Sequence, residues 1–175
     1  MIFNMNTHRT KETRAGLSLV ETLVYLSVIV IVGIAVVTTF YSLRTTFERN
    51  RVHRELNAAA INVLERMVRE TRIAENVGTG SVFDTSPGTL VLESGAGATT
   101  TTLSLSGNEV ILEKTGATPG ALTPDTVTVD ALQFSHYTTS SSEAVRMELT
   151  LSIGSRFAST TETFFTTAAL RGIYE

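Results

Sequence analysis

Between Leu17 and Tyr41 the sequence runs for 25 residues with one charged side chain, Glu21. As a helix that run spans about 37 Å, at about 1.5 Å per residue, against a hydrocarbon core of about 30 Å. Its centre, VYLSVIVIVGIAVV, carries the β-branched side chains of a strand. Its length excludes one, because buried strands run about 4–8 residues. In lipid the backbone must satisfy its own hydrogen bonds, so a membrane-spanning helix is the expectation. A secretory signal has a shorter apolar core, about 7–15 residues, and ends in a small-residue cleavage site. Here Arg44 and Arg49 follow, so the segment is expected to stay with the mature chain. Arg9, Lys11 and Arg14 precede the run and Arg44, Arg49, Arg51 and Arg54 follow it. The positive-inside count therefore does not choose an orientation.

Glu21 is the anomaly. An acid costs about 2.5–3.5 kcal/mol at the centre of a spanning helix and less near its edge. Five residues in, it is either wetted by headgroups or paired with a cation inside the membrane. The surrounding residues bear on this choice. A basic leader ends in Arg14-Ala15-Gly16, and Leu17-Ser18-Leu19-Val20-Glu21 opens the apolar stretch.

This pattern resembles the N-terminal signature of type IV pilins and of the pilin-like subunits of type II secretion and competence systems. The resemblance implies that a prepilin peptidase removes residues 1–16, cutting between Gly16 and Leu17, and N-methylates Leu17. It makes Glu21 the fifth-position acid of the mature chain, the one used in assembly. Leu17 stands where the family most often has phenylalanine, and Thr38 lies where a proline is common. The physics is consistent with the family account. Cleavage would place an α-ammonium about 6 Å along the helix from Glu21. A carboxylate buried in an assembly needs a cation, and a neighbour's N-terminus can supply one. Gly16, lacking a Cβ, lets a peptidase approach the backbone.

The spacing predicts that the helix continues. From Thr45 to Asn76 there is no proline or glycine, and helix formers dominate. Val52, Leu56, Ala59, Ala60, Val63, Leu64, Met67, Val68 and Thr71 recur at steps of three and four, giving an apolar face. The opposite face holds Arg51, Arg54, Glu55, Asn62, Glu65, Arg66, Arg69 and Glu70, with Glu65–Arg69 and Glu48–Arg51 spaced as helix pairs. Asn76 and Gly78 are stop signals.

Beyond Gly78 short β-prone runs alternate with turn residues. Strands are expected at Thr89–Glu93, Thr101–Ser106, Glu109–Lys114, Val127–Val129, Leu132–Thr138, Val145–Ile153 and Thr160–Leu170, with Gly107-Asn108 as a hairpin turn and Thr118–Thr126 as a loop. Leu132, Phe134 and His136 share a face, as do Val145, Met147, Leu149, Leu151 and Ile153. A one-sided antiparallel sheet, its apolar face covered by the amphipathic helix, is the natural solution. The order LQFSHY, VRMELTLSI, TTAALRG is loosely similar to the C-terminal region of minor pilins. The threonine-rich stretches read as β-propensity and solvated loop in preference to sites of O-glycosylation.

The expected fold is thus α+β and pilin-like. It comprises a leader at 1–16, a membrane or filament-core helix at 17–41, an amphipathic helix at 42–76 and a sheet domain at 77–175.

Catalytic chemistry is not signalled. Without cysteine the chain has no disulfide, thiol nucleophile or thiolate metal site. His8, His53 and His136 lack metal-ligand spacing, and no phosphate-binding loop or nucleophile-elbow motif occurs. Neither an enzyme nor a cofactor is expected.

Charge is uneven. Residues 44–73 hold seven arginines against four glutamates, whereas residues 74–175 hold four basic and eleven acidic side chains. The arginine-rich face suits lipid headgroups or the acidic domains of neighbouring subunits. DNA is the weaker alternative, since only Phe47 sits among the arginines to stack on bases.

The functional expectation is a structural subunit, a minor pilin or pseudopilin, held in the inner membrane with an extracytoplasmic domain. Its partners would be prepilin peptidase, other pilin or pseudopilin subunits, an inner-membrane assembly platform and lipid. The alternative is a single-pass, signal-anchored protein whose binding domain never assembles.

Overall fold

A computed structural model describes residues 18–139, 142–155 and 158–170. The leader (residues 1–16) and Leu17 lie outside the described residues. The chain divides into two compact units, Met1–Leu43 and Arg44–Glu175. Helix α1 (Leu19–Ile73) supplies the described part of the first unit and opens the second.

In the second unit α1 is followed by β1 (Asn76–Val77), β2 (Thr89–Ser94), β3 (Thr99–Ser106), β4 (Glu109–Lys114), β5 (Gly120–Ala121), β6 (Thr128–Thr138), β7 (Glu143–Gly154) and β8 (Ser159–Ala169). Every strand pairing is antiparallel. The α+β class is as the sequence implies, a long helix packed on antiparallel sheet.

The single sheet is corrected to two. One has the order β1-β2-β3-β4-β5 and the other β6-β7-β8. The reason lies in the segment before β2. The backbone N–H groups of Asp84 and Gly88 donate to Phe134 O and Leu132 O, both at 2.8 Å. They occupy the outer edge of β6 that β2 would otherwise use. Gly88 permits this approach, because a Cβ there would lie 3.1 Å from Phe134 Cδ2. Ser135 Oγ donates to Asp84 Oδ1 at 2.6 Å, and Phe83 stacks on His136 with centroids 5.1 Å apart. The segment is therefore held at several points.

Two local differences follow from pairing that the sequence pattern does not display. The runs at Val127–Val129 and Leu132–Thr138 merge into β6, with a register shift between Val129 and Ala131 that bulges Asp130 out. β1 and β5 are two-residue strands recruited by β2 and β4 from stretches expected to be turn and loop. The β3–β4 hairpin forms where expected, turning through Gly107, whose φ of 62° suits the first central position of a tight two-residue turn.

Both sheets and the helix share one core. α1 contributes Val52, Leu56, Ala59, Ala60, Val63 and Met67 at helical spacing. Leu90, Leu92, Leu103 and Val110 come from the five-stranded sheet, and Leu132, Phe134, Val145, Met147, Leu149 and Leu151 from the other. β7 alternates buried and half-buried residues along its length, as a one-sided strand must.

One helix residue is corrected. Glu70, assigned to the polar face, has only 4% of its side chain exposed. It is held by Arg66 at 3.0 Å and by Lys114 of β4 at 2.6 Å. The pairs Glu65–Arg69 and Glu48–Arg51 are not formed among the described residues. Arg66 bonds one turn on instead.

Candidate functional site

The candidate site is the N-terminal part of α1, where every residue from Ser18 to Leu43 is exposed. Large apolar side chains run from Leu19, 81% exposed, to Phe40, 73% exposed, around the whole helix. A helix apolar on all sides belongs in lipid or against other protein, and a patch of this extent marks such a contact. The helix is long and apolar enough to cross a membrane.

Four of its hydroxyls are bonded within the helix. Thr22 Oγ1 donates to Leu19 O at 2.8 Å and Ser27 Oγ to Val24 O at 2.7 Å. Thr38 and Thr39 both donate to Ala35 O, at 2.9 and 2.7 Å. Bonding back to the preceding turn satisfies these four donors without water, as an apolar medium requires. A Cβ on Gly33 would meet nothing within 4 Å, so the packing of the single chain does not require glycine there. Small residues let a neighbouring helix come close.

Glu21 lies in the first turn of α1, where the helix dipole favours an acid. Tyr25 Oη donates to its Oε1 at 3.4 Å, an i,i+4 contact. No cation pairs with Glu21 among the described residues. Gly16 and Leu17, the expected cleavage and methylation residues, lie outside the described residues. The Tyr25 contact went unnoticed in the sequence, although the spacing of an acid four residues before a tyrosine was there to read.

The histidines are part of other arrangements. His53 Nδ1 on α1 meets Glu162 Oε1 of β8 at 2.8 Å. His136 Nε2 stands 3.7 Å from Glu143 Oε2 across β6 and β7. Among the described residues no group of three or more His, Cys, Asp or Glu is placed to hold a metal ion. Comparison with protein-family models, with curated proteins and with solved structures finds no match.

Proposed function

We propose that this chain is a structural subunit, of minor pilin or pseudopilin type, of a type IV pilus, a type II secretion pseudopilus or a competence pilus. Glu21 carries the proposal. It is the one charge in the apolar stretch, set in the first helical turn beside a tyrosine hydroxyl and, among the described residues, without a paired cation. The motif Gly16-Leu17-Ser18-Leu19-Val20-Glu21 accounts for both its presence and its position.

In this proposal prepilin peptidase cuts after Gly16 and methylates Leu17. Residues 17–41 hold the mature chain in the inner membrane, with the sheet domain on the extracytoplasmic side. An assembly platform then draws the subunit from lipid into a filament. There Glu21 receives the α-ammonium of a neighbouring subunit, and the exposed apolar helix surface is covered by other helices. The Tyr25 contact favours one rival account, a simple membrane anchor, because it partly satisfies Glu21 within its own helix.

The test is intact-mass analysis of protein extracted from membranes of cells with an active prepilin peptidase. Loss of residues 1–16 is expected, with or without a methyl group on Leu17, and Gly16→Val should keep the leader attached. Recovery of the uncut chain would sink the proposal.

A further inference from the structure

In the second unit a groove of about 930 Å³ runs between the flank of α1 and strand β8. Ile61, Leu64 and Val68 line it from the helix, and Phe165, Ala169 and Leu170 from the strand side. Ile61 is 54% exposed and Phe165 69%. Among the described residues β8 is the last strand of its sheet, paired on one side only, with β7. It is eleven residues long and free of proline, so its outer edge offers a row of backbone N–H and C=O groups to any extended chain. Arg69 and Arg72 also line the groove, together with one acid, Glu65. Neither arginine has an ion-pair partner among the described residues.

We infer that this groove binds an extended, acidic segment of a partner protein, added as a strand alongside β8. Main-chain bonds to an open edge supply affinity without demanding a sequence. The apolar floor selects a segment with apolar residues on alternate positions, since successive strand side chains face opposite ways. The arginines select the charge. With two cations against one acid, a carboxylate on the incoming segment is drawn in and a lysine repelled. This inference goes beyond the pilin proposal and stands or falls separately from it, because none of these residues belongs to the apolar segment.

The experiment uses the full chain in discs of zwitterionic lipid and fluorescein-labelled decapeptides read by anisotropy. One peptide alternates valine and threonine and ends in two glutamates. A second ends in two lysines, and a third is the acidic peptide with two prolines at its centre. The acidic peptide should bind at least tenfold more tightly than either of the others. The Arg69→Glu/Arg72→Glu double variant, with an unchanged circular dichroism spectrum, should reverse the preference between glutamate and lysine. Equal binding of all three peptides, or a preference untouched by the double variant, would overturn the inference. So would tenfold tighter acidic-peptide binding by a chain ending at Leu170, which would give the groove to residues 171–175. Concentration-dependent self-association that the acidic peptide cannot compete would give it to a second copy, and would equally overturn it.

Discussion

Lys114 on β4 places its ammonium 2.6 Å from Glu70 on α1, tying the helix to the five-stranded sheet through a carboxylate that is almost wholly buried. Arg66 holds the other carboxylate oxygen at 3.0 Å from one turn away. Taking an acid out of water is costly unless its oxygens are bonded, and here both are. The two cations remain a third or more exposed, so solvent screens part of their attraction. Lys114→Met should therefore destabilise the second unit by about 1–3 kcal/mol, the range for orphaning one side of a buried polar contact. Arg66→Met should cost less, about 0.5–1 kcal/mol, because Arg66 is the more exposed of the two cations and solvent screens it more. A double-mutant cycle of Glu70→Gln and Lys114→Met should give a coupling of about 0.5–3 kcal/mol in urea melts. Zero coupling would mean that the contact is geometry without energy.

The core begins at Val52, and no residue from Ser18 to Arg44 is buried. A chain starting at Thr45 should accordingly be soluble, with mixed helix and sheet and a cooperative melt. In that fragment Leu56→Asp should abolish the transition, because Leu56 is fully buried and an unpaired charge would take its place. Leu64 is the instructive contrast. Helical spacing puts it on the same face, but it packs at the edge of the core beside the open groove. Leu64→Asp can turn toward water and should lower Tm by only a few degrees, as a loss of about 1 kcal/mol does. If both variants melt like the parent, α1 is not part of the core.

Glu75 governs a turn at a distance in sequence. The backbone N–H of Ala96 donates to Glu75 Oε2 at 3.0 Å. That bond first, and then the backbone of Gly95, lowers the Glu75 pKa from its ordinary 4.5. Both residues hold positive φ, 55° and 66°, and point their amides at the acid. A depressed carboxylate pKa stabilises the fold above the unfolded value, and the benefit is lost as pH falls through the folded value. Glu75→Gln should thus be destabilising at neutral pH, and the gap to the parent should narrow once pH drops below 4.5. Thermal melts of both proteins across the acid range check this. A gap that stays constant with pH would mean that the amide replaces the carboxylate's role.

The helix and most strand positions were legible because each carries its own period. β7 repeats an apolar residue at every second position, and α1 repeats one at steps of three and four. What escaped the sequence were the features that depend on a second segment. Glu70 looks like any exposed glutamate until Lys114 arrives from 44 positions further along. The division of the sheet rests on Asp84 and Gly88 taking the edge of β6, and no periodicity in 78–88 announces it. The groove could not be seen either, since Phe165 and Ile61 become neighbours only when β8 ends the sheet beside α1. For the apolar segment the reverse holds. There the sequence carries nearly all the information, and the structure adds contacts within the helix, that of Tyr25 with Glu21 among them.

That contact sharpens the test of Glu21 itself. Glu21→Gln removes the charge and keeps the shape. The helix should insert at least as readily, because a neutral amide is easier to place in lipid than a carboxylate. The amide can still accept the bond from Tyr25, so the first turn should be undisturbed. Cleavage should persist, since Gly16 and the basic leader remain. What disappears is the partner for a neighbour's α-ammonium, and leaving one member of a buried pair unmatched costs about 3–5 kcal/mol. If that penalty applies at each docking step, incorporation should fall by about a hundredfold or more. Tyr25→Phe supplies the control. It removes the internal hydroxyl but leaves the charge, and should assemble as the parent does. The measurement is the ratio of sheared-filament protein to membrane-pool protein for the parent and the two variants. Equal ratios for the parent and Glu21→Gln would make the acid an interfacial bystander and favour the simple anchor. A loss confined to Glu21→Gln would place the charge itself, and not the hydrogen bond it receives from its own helix, at the point where one subunit meets the next.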